Sequence, residues 1–216
     1  MTSRPIHEVF LLRHTQTTWN AISRYQGRID TPLSDLGQRQ VETIASLVTP
    51  GAFQTVFMSP LRRAGLLAEA VAAAAEVGIV VDDRLTEIGM GPWEGLTRTE
   101  IEARFPLMLA AWHYSPDTVT FPGGETLGDV ASRVSAFMEE RFADTELHRI
   151  AVVTHDSVVK VAVMLALGLD LSHLHRFRMR NGSISVLRGR RYAGSVETVD
   201  SVSHLTGSPF ELVDLT

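Results

Sequence analysis

Cysteine is absent from this chain of 216 residues. Its absence excludes disulfides, thiolate metal ligands and a thiol nucleophile, and folding needs no oxidising compartment. Lysine is almost absent too: Lys160 is the only one, so arginine supplies the rest of the 20 basic side chains. No long apolar run opens the sequence, since Val9 to Leu12 is too brief for a signal-peptide core or a membrane-spanning helix. Walker and Gly-x-Ser-x-Gly motifs are missing, and in Gly89-Met-Gly91-Pro-Trp-Glu-Gly95 the spacing is wrong for a dinucleotide loop and Pro92 interrupts it. With 25 acidic residues and a formal net charge of -5, the chain lacks the broad positive field that nonspecific nucleic-acid binding needs. A cytoplasmic protein with no nucleic-acid and no membrane partner is expected, and any positive potential must be local.

What is present is a 44% hydrophobic composition, enough for a substantial core, read as one domain over 1–216. Apolar runs at Glu8 to Leu12, Thr55 to Met58, Ile79 to Val81 and Arg149 to Thr154 read as strands. Helical spacing follows Ser34-Asp35 (Val41, Ile44, Ala45, Val48), runs through the Ala-rich stretch from Leu61 to Val77, and returns after Thr126 (Leu127, Val130, Val134, Phe137, Met138) and from Ser157 to Leu167. Gly78 stands where a left-handed cap would close the second of these helices. Strand and helix alternate with connections long enough for crossovers, which predicts an α/β fold: a three-layer α/β/α sandwich with a mostly parallel central sheet. Ser183 to Leu187 and Tyr192 to Val199 read as a hairpin at its edge, and the tail from Asp200 has no clear pattern. Between Arg84 and Pro122 the pattern loosens into glycine-rich loop, apart from a capping box at Thr97 and Glu100 that opens a short helix. The segment 88–125 is expected to form an insertion or lid over the site.

Three of these strands end in chemistry. Val9-Phe-Leu-Leu delivers Arg13-His14, Ile150-Ala-Val-Val-Thr154 delivers His155-Asp156, and Thr55-Val-Phe-Met58 runs into Ser59-Pro-Leu-Arg62-Arg63. The carboxyl ends of strands are where α/β folds place their ligands, and guanidinium forks match phosphate oxygens. Arg13 and Arg63 suit that task. A neutral imidazole is a competent nucleophile toward phosphorus, so His14 could take the phosphoryl group covalently. Glu87, after the third strand, is the candidate general acid, its carboxyl raised in pKa beside a phosphate. His155 could steady the equatorial oxygens. No metal and no cofactor are required. Trp93 is expected to plug its loop, and His7, His113, His148, His173, His175 and His204 are expected in surface or packing roles.

Leu-Leu-Arg13-His14-Thr15, Asn20, Gln26-Gly27, Thr31-Pro-Leu-Ser-Asp-Leu-Gly37, Ser59-Pro-Leu-Arg-Arg63-Ala64, Glu87-Ile-Gly-Met-Gly-Pro-Trp-Glu-Gly95, Pro122-Gly-Gly-Glu125 and Thr154-His155-Asp156 together resemble the histidine phosphatase superfamily, also called phosphoglycerate mutase-like. The resemblance runs from about Val9 to Leu187. It implies that His14 is the phosphorylated nucleophile, that Arg13, Arg63 and His155 form the phosphate pocket, and that Glu87 is the proton donor. Arg63 is chosen over Arg62 because the family's arginine directly precedes the alanine, here Ala64. Thr17, Asn20, Gln26 and Gly27 align with substrate-pocket positions, and Asp156 is expected as a substrate-side contact. The chain departs from the pattern at Thr15, where a glycine is usual, at Leu67, where a threonine is common, and at His155-Asp156-Ser157, which replaces the His-Gly of mutases.

The resemblance implies a histidine acid phosphatase-like phosphomonoesterase acting on a small phosphorylated metabolite through a phosphohistidine, its oligomeric state open between monomer and homodimer. A phosphoglycerate mutase is the alternative; the short separation of Glu87 and His155 favours hydrolysis, because mutases of this kind carry a longer insertion there. A non-catalytic phospho-ligand module is the third reading, and the full set of reactive side chains argues against it.

Overall fold

In the computed structural model, residues 6–193 and 196–206 are described. Six strands form one sheet in the order β3-β2-β4-β1-β5-β6, with β1 at His7–Arg13, β2 at Thr55–Met58, β3 at Ile79–Val81, β4 at Arg149–Thr154, β5 at Ile184–Gly189 and β6 at Val196–Ser201. Strands β1, β4, β2 and β3 are parallel, whereas β5 lies antiparallel to β1 and β6 antiparallel to β5. The hairpin expected at the sheet edge is this β5-β6 pair, with residues 194 and 195 of its connection outside the described residues.

The central strands read as unbroken apolar runs because both of their faces are buried. Val9, Leu11, Phe57, Ile150 and Val152 enter one core, with helices α5 (Leu127–Ala143) and α6 (Asp156–Ala166). Their neighbours Leu12, Val56, Ala151 and Val153 enter another, with α1 (Asp35–Ser46) and the Ala-rich α2 (Arg62–Ala75). Two helical layers therefore sandwich the sheet, and the expected α/β/α architecture holds. The small side chains Ala64, Ala68, Ala72 and Ala75 let α2 lie close to the sheet.

Helix starts follow the caps that the sequence carries. Ser34 accepts from the Gly37 amide at 3.0 Å, and Thr126 with Asp129 forms a complete capping box. One helix end differs from expectation: α2 closes on Glu76, whose φ of +58° makes it the left-handed cap, and Gly78 is not left-handed. The chain turns two residues early because Val77 already donates back to the Ala72 carbonyl at 3.1 Å.

The stretch between Arg84 and Pro122 is more regular than its sequence suggests. Besides α3 (Arg98–Arg104) with its Thr97–Glu100 box, it holds α4 (Pro106–Tyr114). Trp112 and Phe121 pack edge-to-face with the wholly buried Trp93, so this aromatic cluster forms core and Trp93 plugs its loop. Beyond β6, Ser203–Thr206 form one helical turn, α7; the rest of the tail, 207–216, lies outside the described residues.

Candidate active site

The parallel strands β1, β2 and β4 end side by side, with Arg13 level with Thr154 and Met58 level with Val153. Arg13-His14, Ser59 and His155 thus emerge on one rim, at the place where the chain has gone one way from β1 to β2 and later the other way from β4 to β5. The His14 amide donates to the Thr154 carbonyl at 2.9 Å, and its own carbonyl accepts from Gly182 at 3.1 Å and from the Asn181 side chain at 3.2 Å. Its backbone is therefore fixed from the end of β4 on one side and from the turn before β5 on the other.

The imidazole is fixed as well. His14 Nδ1 lies 2.8 Å from the Thr15 carbonyl, an atom that can only accept, so Nδ1 carries the proton and Nε2 keeps its lone pair. The His155 ring sits 5.2 Å from that of His14, and its Nε2 is 2.7 Å from Ser59 Oγ. Arg63 is almost fully buried at the start of α2 and is held by the carbonyls of Gly27 (2.7 Å) and Ile29 (2.8 Å), with Asp30 at 3.4 Å. Glycine is favoured at Gly27: its φ is +50°, and a Cβ would fall 2.2 Å from Glu94 Oε1, so any other residue would displace that side chain.

Glu87 is buried on the loop after β3, with one carboxyl oxygen accepting from the Ile88 amide at 2.9 Å. Its loop is braced by Glu125, which accepts from the Gly89 amide at 3.1 Å and pairs with Arg133 and Arg28. That is the work of the Pro122-Gly-Gly-Glu125 turn. Asp156 opens α6 and pairs with Lys160 at 2.7 Å and Arg13 at 3.5 Å.

Burial separates the protonation states of these groups. His14 is pushed well below the ordinary imidazole value, by burial first and then by Arg63 and Arg13. His155 moves the same way for the same reasons, with His14 adding to them. The Glu87 carboxyl is pushed up, by burial first and by the Asp156 charge second, against the opposing pull of Ile88 N–H, Arg63 and Arg13. For Asp156, burial acts upward, but Lys160 and Arg13 outweigh it and hold the carboxyl below its usual range. The site thus sets a lowered imidazole beside a carboxyl whose proton is held more tightly than usual.

A cavity of about 430 Å³ opens onto this rim, lined by Arg13, His14, Arg63 and Glu87, and further by Asn20, Gln26, Gly27 and Asp156. Arg13 Nε, Arg63 Nε and His155 Nδ1 are buried without a hydrogen-bond partner. A buried donor left unmade costs roughly 1–3 kcal/mol. Three of them around one imidazole make a cradle for an anion rich in acceptor oxygens.

A family model for the histidine phosphatase superfamily (branch 1) matches residues 9–201. The chain belongs to that superfamily. It is 31% identical to phosphoserine phosphatase 1 of Hydrogenobacter thermophilus over 92% of this chain and 94% of that protein. It is 33% identical to a probable phosphoglycerate mutase of Proteus mirabilis over 92% and 95%. Among solved structures, the native mycobacterial glucosyl-3-phosphoglycerate phosphatase superposes with a TM-score of 0.80 at 28% identity, covering 91% of this chain and all of that one. As a histidine phosphatase, the protein is a phosphoric monoester hydrolase.

Not every expected side chain of this histidine phosphatase faces the cavity. Thr17 is fully buried and not part of the lining; its hydroxyl and amide both bond Asn20 Oδ1 at 3.0 Å, so it supports Asn20. The His155 ring lies beside that of His14 and is not among the residues that line the cavity surface. Arg62 points outward to Glu69, as a helix-start residue would. Thr15 is buried with its methyl toward Gly182, and Leu67 is core. Within 88–125, Met90 lines the cavity, whereas Trp112 and Phe121 point into the core and Tyr114 into solvent. Two further residues do essential holding. Ser59 and Asn181 bond His155 and the His14 loop, and the only sequence signals for them are a strand end and an Asn-Gly pair.

Proposed function

We propose that the protein is a metal-independent phosphomonoesterase in which His14 Nε2 attacks phosphorus, and that Arg13, Arg63 and His155 hold the phosphoryl oxygens. The P–N bond forms as the ester P–O bond breaks, and the Glu87 proton goes to the departing alkoxide oxygen. Water then attacks the phosphohistidine, giving its proton to the Glu87 carboxylate while the P–N electrons return to His14. The enzyme ends as it began. The observation that carries this reading is the pairing of an Nε2 lone pair with three buried, unpartnered cationic or imidazole donors in one site. Asn20, Gln26, Gly27 and Asp156 contact the substrate, with Thr17 acting through Asn20, and the segment 88–125 covers the cavity. A small phosphorylated metabolite fits the volume.

Purified protein treated with EDTA is expected to release phosphate steadily from a panel of phosphomonoesters. Isomerisation of 3-phosphoglycerate primed by 2,3-bisphosphoglycerate, without net phosphate release, would instead establish the mutase reading that the Proteus relative supports. We infer that Ser59 positions His155: its Oγ accepts from the Leu61 amide at 3.3 Å and lies 2.7 Å from His155 Nε2, and as the hydrogen-bond donor there it leaves Nδ1–H for the phosphoryl group. Ser59→Ala should lower kcat by roughly five- to tenfold, the loss of one net hydrogen bond, with a smaller change in KM. An unchanged kcat would show that Ser59 does not set the tautomer.

A further inference from the structure

The loop from Gly27 to Asp30 lies between the two halves of the site. On one side, the Gly27 and Ile29 carbonyls accept from the Arg63 guanidinium, and Asp30 accepts from the amides of Arg62 (2.7 Å) and Arg63 (3.3 Å) at the start of α2. Arg28, between those carbonyls, is bound to the other side. Its amide donates at 3.1 Å to Glu94 Oε1, the oxygen that also accepts from the Met90 amide at 2.9 Å. Its Nε donates to the Glu87 carbonyl at 3.4 Å, and its Nη2 lies 3.0 Å from Glu125 Oε1.

Glu125 completes this frame around the acid. Its carboxylate takes the Gly89 amide, its own amide donates to the Gly89 carbonyl at 2.9 Å, and Arg133 of α5 forks onto it with two bonds of 3.1 Å. Arg133 Nη1 also reaches the Arg84 carbonyl at 2.7 Å. The backbone is thus held before the acid at Arg84, at Glu87 itself and after it at Gly89. Of these holding groups, Arg28 alone also belongs to the loop that secures Arg63. Its side chain crosses the acid loop closely enough that a Cβ on Gly89 would lie 3.5 Å from Arg28 Nε. Stability gives little reason for this placement, since the side chain is 49% exposed and ion pairs so open to water contribute little. Position matters far more, because a proton donor must stay within hydrogen-bond reach of the leaving oxygen and a shift of about 1 Å can cost on the order of a hundredfold in rate.

We propose that Arg28 is a positioning residue for the general acid: it ties the Glu87 backbone to Glu125 and, through its own loop, to Arg63, so that the proton donor and the phosphate-holding guanidinium keep a fixed separation. This rests on the phosphomonoesterase reading with Glu87 as the acid. Arg28 touches no substrate in this scheme and acts only through the groups it holds.

The test compares p-nitrophenyl phosphate with glycerol 3-phosphate. R28A should lower kcat for the alkyl ester by about ten- to a hundredfold and for the aryl ester by less than about threefold, with little change in either KM. R28K keeps a charge opposite Glu125 without the guanidinium fork, and should recover part of the loss. In the Glu87→Gln background, R28A should cost the alkyl ester nothing further, because the group it places is already gone. Equal losses on both esters, or a full additional loss in the double variant, overturn the inference. If Glu87→Gln alone spares the alkyl ester, it is the acid assignment that fails. A readout without turnover then remains: the Ile88 amide proton is bonded to the Glu87 carboxyl, and its hydrogen exchange should quicken by about tenfold in R28A. Unchanged exchange there overturns the positioning role even if no ester is hydrolysed.

Discussion

His14→Ala is expected to lower phosphate release on the order of ten-thousandfold or more, because a side chain that forms the covalent intermediate has no substitute in the site. Acid-labile phosphorylation of the protein should vanish with it. Inorganic phosphate should still bind, since the Arg13 and Arg63 donors do not depend on the imidazole, and this separates loss of the nucleophile from loss of the cradle. Stability should fall only by about 1 kcal/mol, the net worth of the Nδ1 bond to Thr15. Rapid-quench labelling decides the matter: turnover near the unaltered rate, or label on another residue, would show that phosphorus is attacked elsewhere.

Glu87→Gln should lower kcat/KM for alkyl phosphates by about a hundred- to ten-thousandfold, the usual range for a lost general acid. Aryl phosphates, whose leaving groups depart without full protonation, should lose less than about tenfold. Glutamine keeps an oxygen for the Ile88 amide, so the loop should stand. The pH profile carries the same information. Turnover needs His14 neutral and Glu87 protonated, and with ordinary values only about one molecule in a hundred would be in that state at pH 5.5. Burial moves the two toward each other by lowering His14 and raising Glu87, so more of the protein carries that state. The acid limb of kcat/KM should therefore lie below pH 6.5, where His14 gains a proton, and the alkaline limb above pH 4.5, where Glu87 loses one. In Glu87→Gln the alkaline limb should disappear for alkyl esters. If aryl and alkyl esters suffer alike, Glu87 is not the acid.

Much of the architecture could be read from composition along the chain. Strands β1, β2 and β4 are buried on both faces and so appear as compact apolar runs, while the exposed β3 was legible only through its β-branched residues. Helix α4 was hidden because Pro-Leu-Met-Leu-Ala-Ala-Trp-His-Tyr is apolar without a helical stripe and starts directly after the bent Phe105. The α2 cap was misread because left-handed backbone favours glycine, yet Glu76 takes it when the following residues are already bonded back to the helix. At the site, the strand-end residues Arg13, His14 and His155 could be placed in advance by their position alone. The roles of Ser59 and Asn181 could not, because they act on a side chain and a backbone carbonyl 96 and 167 positions away, and a strand end or an Asn-Gly pair does not name such a partner.

That last bond has a bearing on how the enzyme comes into being. The carbonyl beside the reactive ring is anchored by an amide group from Asn181, deep in the second half of the polypeptide, and β1 is flanked by β4 and β5, which are translated much later. A growing chain on the ribosome would expose Arg13 and His14 early, yet no partial product ending before Asn181 has the framework that orients them. Catalytic competence therefore arrives late in synthesis and all at once.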